Sequence, residues 1–186
     1  MTSKNLPDAV LAASQNADES SQFLTFLLAD EEYGIDILKV QEIRGWTAVT
    51  PIPNTPEHVL GVLNLRGAVV PIVDLRRRFA LAGISYTTTT VIIVVSMVEN
   101  GVDHTVGLVV DAVADVHRLD TAELHPPPEM GSAIDTEFVR ALATVNDKMV
   151  ILLDADKLIR FEDTVTPTAG AAPPAVAASD DLLPVF

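Results

Sequence analysis

Four histidines, His58, His104, His117 and His125, and a surplus of carboxylates are the residues from which this chain could assemble chemistry. Metal binding would need histidines at a ligand spacing such as i, i+4 on a helix, and acid–base catalysis would need a carboxylate or imidazole held beside the reacting group. None of the four has such a partner in the sequence, so they read as surface and turn histidines. The chain has no cysteine, which removes thiol nucleophiles, thiolate zinc sites, iron–sulfur clusters and disulfides. It has no Gly-rich phosphate loop and no Gly-x-Ser-x-Gly elbow. Asp74 and Asp154 each follow an apolar strand and precede a short helical stretch, where an aspartate caps the first amides of a helix. The residues point away from an enzyme, and no cofactor or metal is expected. A small metal-dependent hydrolase, built from acids and histidines distant in sequence, is the remote alternative.

The stretch with a binding character is Gly61-Val62-Leu63-Asn64-Leu65-Arg66-Gly67-Ala68-Val69-Val70-Pro71. Two apolar strands converge on a short turn carrying Asn64 and Arg66, so rigid elements hold a guanidinium at a tip. A planar, permanently charged donor fork suits recognition of a protein surface. Trp46, the single tryptophan, follows Arg44-Gly45 and is either core or a partly exposed anchor.

The elements that position these residues are strands. Val, Ile, Thr and Leu come in short runs bounded by turn residues, as in Phe23 to Leu28, Tyr33 to Ile37, Val91 to Val98 and Thr105 to Val110. Asn100-Gly101 is a hairpin dipeptide whose residues tolerate positive φ. Helices are expected only as short pieces: one between Thr55, with Pro56 at its first position, and Gly61 past its end, and one starting at Asp120 with Glu123 three residues on. Residues 1–20, rich in Ala, Ser, Asn and Asp, and residues 163–186, rich in Ala and Pro, read as disordered tails. The final Leu182-Leu183-Pro184-Val185-Phe186 is a candidate docking peptide.

An internal repeat lies between the tails. Gly34-Ile35-Asp36-Ile37-Leu38-Lys39-Val40-Gln41-Glu42-Ile43 overlies Gly107-Leu108-Val109-Val110-Asp111-Ala112-Val113-Ala114-Asp115-Val116 without a gap. Val69 to Asp74 before Leu75 echoes Met149 to Asp154 before Ala155. The order of elements is kept while loop lengths differ. A unit of roughly 60 to 70 residues suits a small five-stranded barrel, since closure removes exposed strand edges. Two such barrels side by side leave a groove between them.

The formal charge of −14, from 26 acidic and 12 basic residues, opposes phosphate backbones and excludes nucleic acid as a partner. The longest apolar run, Val91 to Val95 extended to Val98, falls well short of the roughly 20 residues of a membrane-spanning helix. With neither a signal peptide nor cysteines, a cytoplasmic location is expected.

Asp30-Glu31-Glu32-Tyr33-Gly34-Ile35-Asp36-Ile37-Leu38-Lys39-Val40-Gln41-Glu42-Ile43-Arg44-Gly45, with Asn64-Leu65-Arg66-Gly67 and Val70-Pro71-Ile72-Val73-Asp74-Leu75-Arg76, resembles the CheW family of chemotaxis coupling proteins. The resemblance runs from about Gln22 to Ile159. It implies an all-β fold of two swapped five-stranded SH3-like β-barrels about a pseudo-twofold axis, with a few short helices. The domain would span 21–162, its halves about 22–79 and 89–160. It also implies a non-enzymatic adaptor that couples the cytoplasmic tips of membrane chemoreceptors to the histidine kinase CheA, peripherally associated with receptor arrays and without membrane insertion. On this likeness Val40, Glu42, Asn64, Leu65 and Arg66 face a receptor bundle seated between the barrels, and Val91 and Ile92 either complete that surface or are buried. Ile43, Gly45 and Val49 are candidates for contact with the CheW-like regulatory domain of CheA. The loop from His125 to Met130 is the candidate for a second contact that closes rings or lattices with CheA. It departs from the family pattern, with His125 where a more basic residue and Met130 where an aromatic is typical. An adaptor of a parallel pathway with another receptor and kinase is the nearer alternative.

Overall fold

The computed structural model describes residues 20–127 and 137–158. Residues 1–19 of the expected N-terminal tail, the expected C-terminal tail with its docking peptide, and Met130 fall outside these residues, whereas Ser20, expected in the tail, begins the first strand. Ten strands dominate: β1 (Ser20–Leu28), β2 (Glu31–Asp36), β3 (Val40–Gly45), β4 (Val59–Leu65), β5 (Ala68–Asp74), β6 (Val91–Glu99), β7 (Val102–Val110), β8 (Ala112–Asp120), β9 (Val139–Val145) and β10 (Lys148–Leu153). The helices α1 (Leu75–Arg78) and α2 (Ala155–Leu158) are single turns, and 3-10 turns occupy Ile37–Lys39 and Thr121–Glu123.

The strands form two five-stranded sheets, ordered β8-β1-β2-β10-β9 and β3-β6-β7-β5-β4. Replacing β1 to β5 by β6 to β10, and the reverse, turns one order into the other, so the sequence repeat is a pseudo-twofold of the fold. Each sheet takes two strands from one half and three from the other. The halves, 20–79 and 91–158, therefore exchange strands, as the resemblance implies.

Each sheet is drawn shut by a backbone bridge beyond its edge strand. Thr50, just after β3, exchanges both amide bonds with Val62 of β4 at 3.0 and 2.9 Å, and His125, just after β8, does so with Leu142 of β9 at 2.8 and 2.7 Å. Edge amides and carbonyls that would otherwise template aggregation are thereby paired. Gly61 serves the first closure. Its φ is +142°, and a Cβ there would lie 2.1 Å from the Thr50 carbonyl oxygen. This corrects the helix expected between Thr55 and Gly61: a Thr-Pro start and a later glycine mark helix ends in general, but here the segment is a turn leading into β4.

The alternation of side chains divides the core in three. Ile92, Val94, Val109, Val70 and Ile72 fill one barrel, and Phe23, Val150, Leu152 and Leu119 fill the other. The opposite faces of the same strands, with Leu24, Phe26, Ile93, Val95, Val106 and Leu108, meet in a shared core between them. An aromatic row crosses that core, with centroid separations of 6.1 Å for Phe26–Tyr33, 5.7 Å for Tyr33–Phe79 and 5.0 Å for Phe79–Phe138. A fully buried Leu, Ile or Phe contributes about 1.5–3 kcal/mol by leaving water. With the largest core shared, neither half can keep its burial alone.

The repeated glycines have one packing role. A Cβ on Gly34 would meet Leu152 Cδ2 at 2.7 Å, and one on Gly107 would meet Ile72 Cδ1 at 2.5 Å. In both barrels the parallel neighbour strand fills the space that the glycine leaves. Asp74 Oδ1 accepts from the Arg76 amide at 2.9 Å and Asp154 Oδ1 from the Asp156 amide at 3.1 Å, the caps expected from the sequence. Asn100 and Gly101 have φ of 51° and 78°, the geometry their hairpin requires.

Candidate functional site: a charged rim over an apolar floor

The β4–β5 turn is built for positive φ at both central residues, 52° at Arg66 and 91° at Gly67. Asn64 Oδ1 accepts the Gly67 amide at 2.9 Å and commits the Asn64 side chain to holding the turn. Leu65 is buried in the barrel and anchors the turn from below. The Arg66 side chain is left 87% exposed, with Nη2 2.8 Å from Glu42 Oε2 of β3. Glu42 is only 25% exposed and also lies 3.7 Å from Arg44 Nη1. β3 and β4 are opposite edges of one sheet, so the Arg66–Glu42 pair spans the mouth of its barrel. Beneath it lies a depression of about 140 Å³ lined by Leu65, Val70, Val94, Ala68, Gln41 and Thr105 as well as the two charges.

A bulge at Gln41 divides the expected receptor set. Val40 pairs with Val95, which faces the shared core, whereas Glu42 pairs with Val94, which faces into the barrel. The two residues, which regular alternation would put on one side, thus lie on opposite faces of β3. Ile43, exposed, and Gly45 pair with Ile93 and Val91 and lie on the face of Val40. Val91 is partly buried against the shared core. Ile92 is 0% exposed and packs inside the barrel, which corrects its assignment to the docking surface: its side chain has no route to a partner. The geometry therefore brings together Glu42, Asn64, Leu65 and Arg66 at the mouth and groups Val40 and Val91 with Ile43 and Gly45. Val70, Val94 and Thr105 in the depression have no signal in local spacing, because closure of the sheet alone gathers them.

Val49 packs against the barrel core and His125 is exposed beside its bridge to Leu142. Trp46 resolves as a half-buried support: its ring stacks on Tyr86 at 4.2 Å and it packs against the barrel core. Tyr86 donates its hydroxyl to Asp74 Oδ2 at 2.7 Å, tying the end of β3 to the helix cap. Burial first, and then this bond to a carboxylate, push the Tyr86 phenol up to about 12. Among the described residues no group of three or more His, Asp or Glu could hold a metal ion, and no helix is long and apolar enough to cross a membrane.

Paired barrels that carry a charged rim over an apolar floor define a module that works through its surfaces. The sequence matches the CheW-like domain over residues 22–163, and the chain belongs to that family. It is 48% identical over 142 residues to the chemotaxis protein CheW of Klebsiella aerogenes, covering 76% of this chain and 83% of that one. It is 37% identical over 152 residues to CheW of Rhizobium meliloti, covering 82% and 96%. The crystal structure of the scaffolding protein TtCheW from Thermoanaerobacter tengcongensis superimposes with a TM-score of 0.69 at 36% identity, covering 78% of this chain and 92% of that one.

Proposed function

We propose that this chain is a non-catalytic chemotaxis adaptor that couples the cytoplasmic tips of chemoreceptors to the histidine kinase CheA. The observation that carries the reading is the CheW-like match across both halves, from 22 to 163, in a chain whose mouth presents Arg66 and Glu42 to solvent. A receptor helix offers an apolar stripe flanked by polar side chains. The floor of Leu65, Val70 and Val94 suits the stripe, and the Arg66 guanidinium suits a carboxylate or helix carbonyl on its flank. The kinase contact is assigned to Ile43 and Gly45 on the other face of β3 and to Val49 beyond its end, and a second contact to the loop that begins at His125. With two faces engaged at once, a change in receptor geometry reaches the kinase through the adaptor, and no bond is made or broken here. Lattice assembly then raises net affinity through multivalency.

Co-purification of the chain with a receptor-tip fragment and a CheA regulatory domain, separately and together, tests the proposal. A ternary complex is the expected result. A second reading, an adaptor of a parallel pathway, is motivated by 29% identity over 155 residues to Protein FrzA of Myxococcus xanthus. Capture of a different kinase in preference to CheA would favour it.

A further inference from the structure

Two ion pairs cross between the halves at related places, and both run in the same electrical direction. In the first, Arg76 of α1 grips Asp111, the single residue between β7 and β8, with Nε–Oδ1 at 2.6 Å and Nη2–Oδ2 at 2.5 Å. In the second, Lys39, in the connection between β2 and β3, reaches Asp156 of α2, with Nζ 2.9 and 2.8 Å from its two oxygens. Each acid also accepts a hairpin amide, Asp111 from Ala29 at 2.7 Å and Asp156 from Val98 at 2.8 Å. The pseudo-twofold sets Arg76 over Asp156, and sets Lys39 one residue from the position over Asp111. The halves thus use the same two stations, helix and connector. The first half places a cation at both stations, and the second half places an anion at both.

This arrangement has a consequence for how homologous halves choose partners. Halves that share a fold and exchange strands could associate like with like across two chains, since both contribute strands in the same order to equivalent sheets. In a pairing of two first halves, Arg76 would face Lys39 at both stations. In a pairing of two second halves, Asp156 would face Asp111. All four side chains are partly buried, with exposures of 16% and 23% for Arg76 and Asp111 and 29% and 36% for Lys39 and Asp156, so like charges there would be only partly screened. A third pair between the halves, Arg140–Asp36, has the opposite polarity, but it is longer at 3.6 Å and its arginine is 45% exposed.

We propose that Lys39, Arg76, Asp111 and Asp156 form a heterotypic code that admits only a first half against a second half and rejects like-with-like assembly. The discrimination comes from repulsion in the wrong pairing as much as from attraction in the right one.

A change that keeps the net charge tests it. K39D/D111R makes both native stations repulsive and both like-with-like stations attractive. K39D/R76D/D111R/D156K inverts both native pairs and restores attraction in the native arrangement. The full-length chain and the two variants would be followed by size-exclusion chromatography with light scattering and by urea unfolding. The expected result is a monomer for the native chain and loss of the monomer from the double variant, into dimers or unfolded protein. The quadruple variant, which contains both substitutions of the double, should recover a folded monomer. A double variant that stays monomeric with the native unfolding midpoint would overturn the proposal, as would a quadruple variant no better folded than the double.

Discussion

Arg66 and Glu42 join the two outer edges of one sheet, the guanidinium Nη2 of the first lying 2.8 Å from Oε2 of the second across the mouth of the barrel. The Leu65 anchor and the Asn64 cap hold the turn independently of this ion pair, and Arg66 is 87% exposed. An exposed pair of this kind is worth about 0.2–1 kcal/mol. Arg66→Ala should therefore shift folding stability by less than about 1 kcal/mol in urea unfolding. A larger loss would give the arginine a structural role.

Gly61→Ala should be among the most damaging single-methyl changes in the protein. The added Cβ meets the Thr50 carbonyl at 2.1 Å, and the positive φ disfavours any side chain. A loss of about 3 kcal/mol is expected from overpacking against backbone that cannot yield. Gly45→Ala, where a Cβ meets nothing within 4 Å, is the matched control and should be near neutral. Paired denaturation curves check the contrast, and equal midpoints would refute the closure role of Gly61.

Tyr86 gives the fold an alkaline signature. Burial and the bond to Asp74 raise its phenol from 10.0 to about 12, so the folded state favours the neutral form. This contribution to stability is complete below pH 10 and is lost as the pH rises from 10 to about 12. Unfolding midpoints measured across that window should fall in the native chain and fall less steeply in Tyr86→Phe. Parallel slopes would count against the Tyr86–Asp74 bond.

Asp156 gives the complementary acid signature. Burial by itself would raise its carboxyl, but the bonds from Lys39 and the Val98 amide outweigh it and hold the group below its ordinary 3.8. The stabilisation is present above that ordinary value and disappears as the pH falls through the lower, folded one. Acid titration of stability should be shallower in Asp156→Asn than in the native chain, and identical acid curves would contradict the assignment.

Local chemistry was legible wherever it is set by neighbours in the chain. Asn100-Gly101 marked its hairpin, Asp74 and Asp154 marked their helices, and the glycine-led repeat exposed the duplication because the same packing problem recurs at Gly34 and Gly107. What escaped depends on distant backbone. Gly61 carries the same local signal as a helix terminus, and only the approach of Thr50 gives it another meaning. The bulge at Gln41, which parts Val40 from Glu42, leaves only the adjacent polar pair Gln41-Glu42 as its mark, and the register shift itself is set by pairing with β6. Ile92 stands in a continuous apolar run, and only closure of the barrel decides that its side chain is enclosed there. The exposed tip at Arg66 was readable because its turn is local, but its partner Glu42 became visible only when the sheet curled.

The central claim is that the barrel mouth binds the receptor and a separate face binds the kinase. Calorimetric titration of the native chain and of Arg66→Glu, each with a receptor-tip fragment and with a CheA regulatory domain, tests it most directly. A central arginine worth about 2 kcal/mol corresponds to a loss of about thirtyfold. The account predicts that loss for the receptor fragment, with kinase affinity unchanged. Unchanged receptor affinity, or an equal loss for both partners, would contradict it.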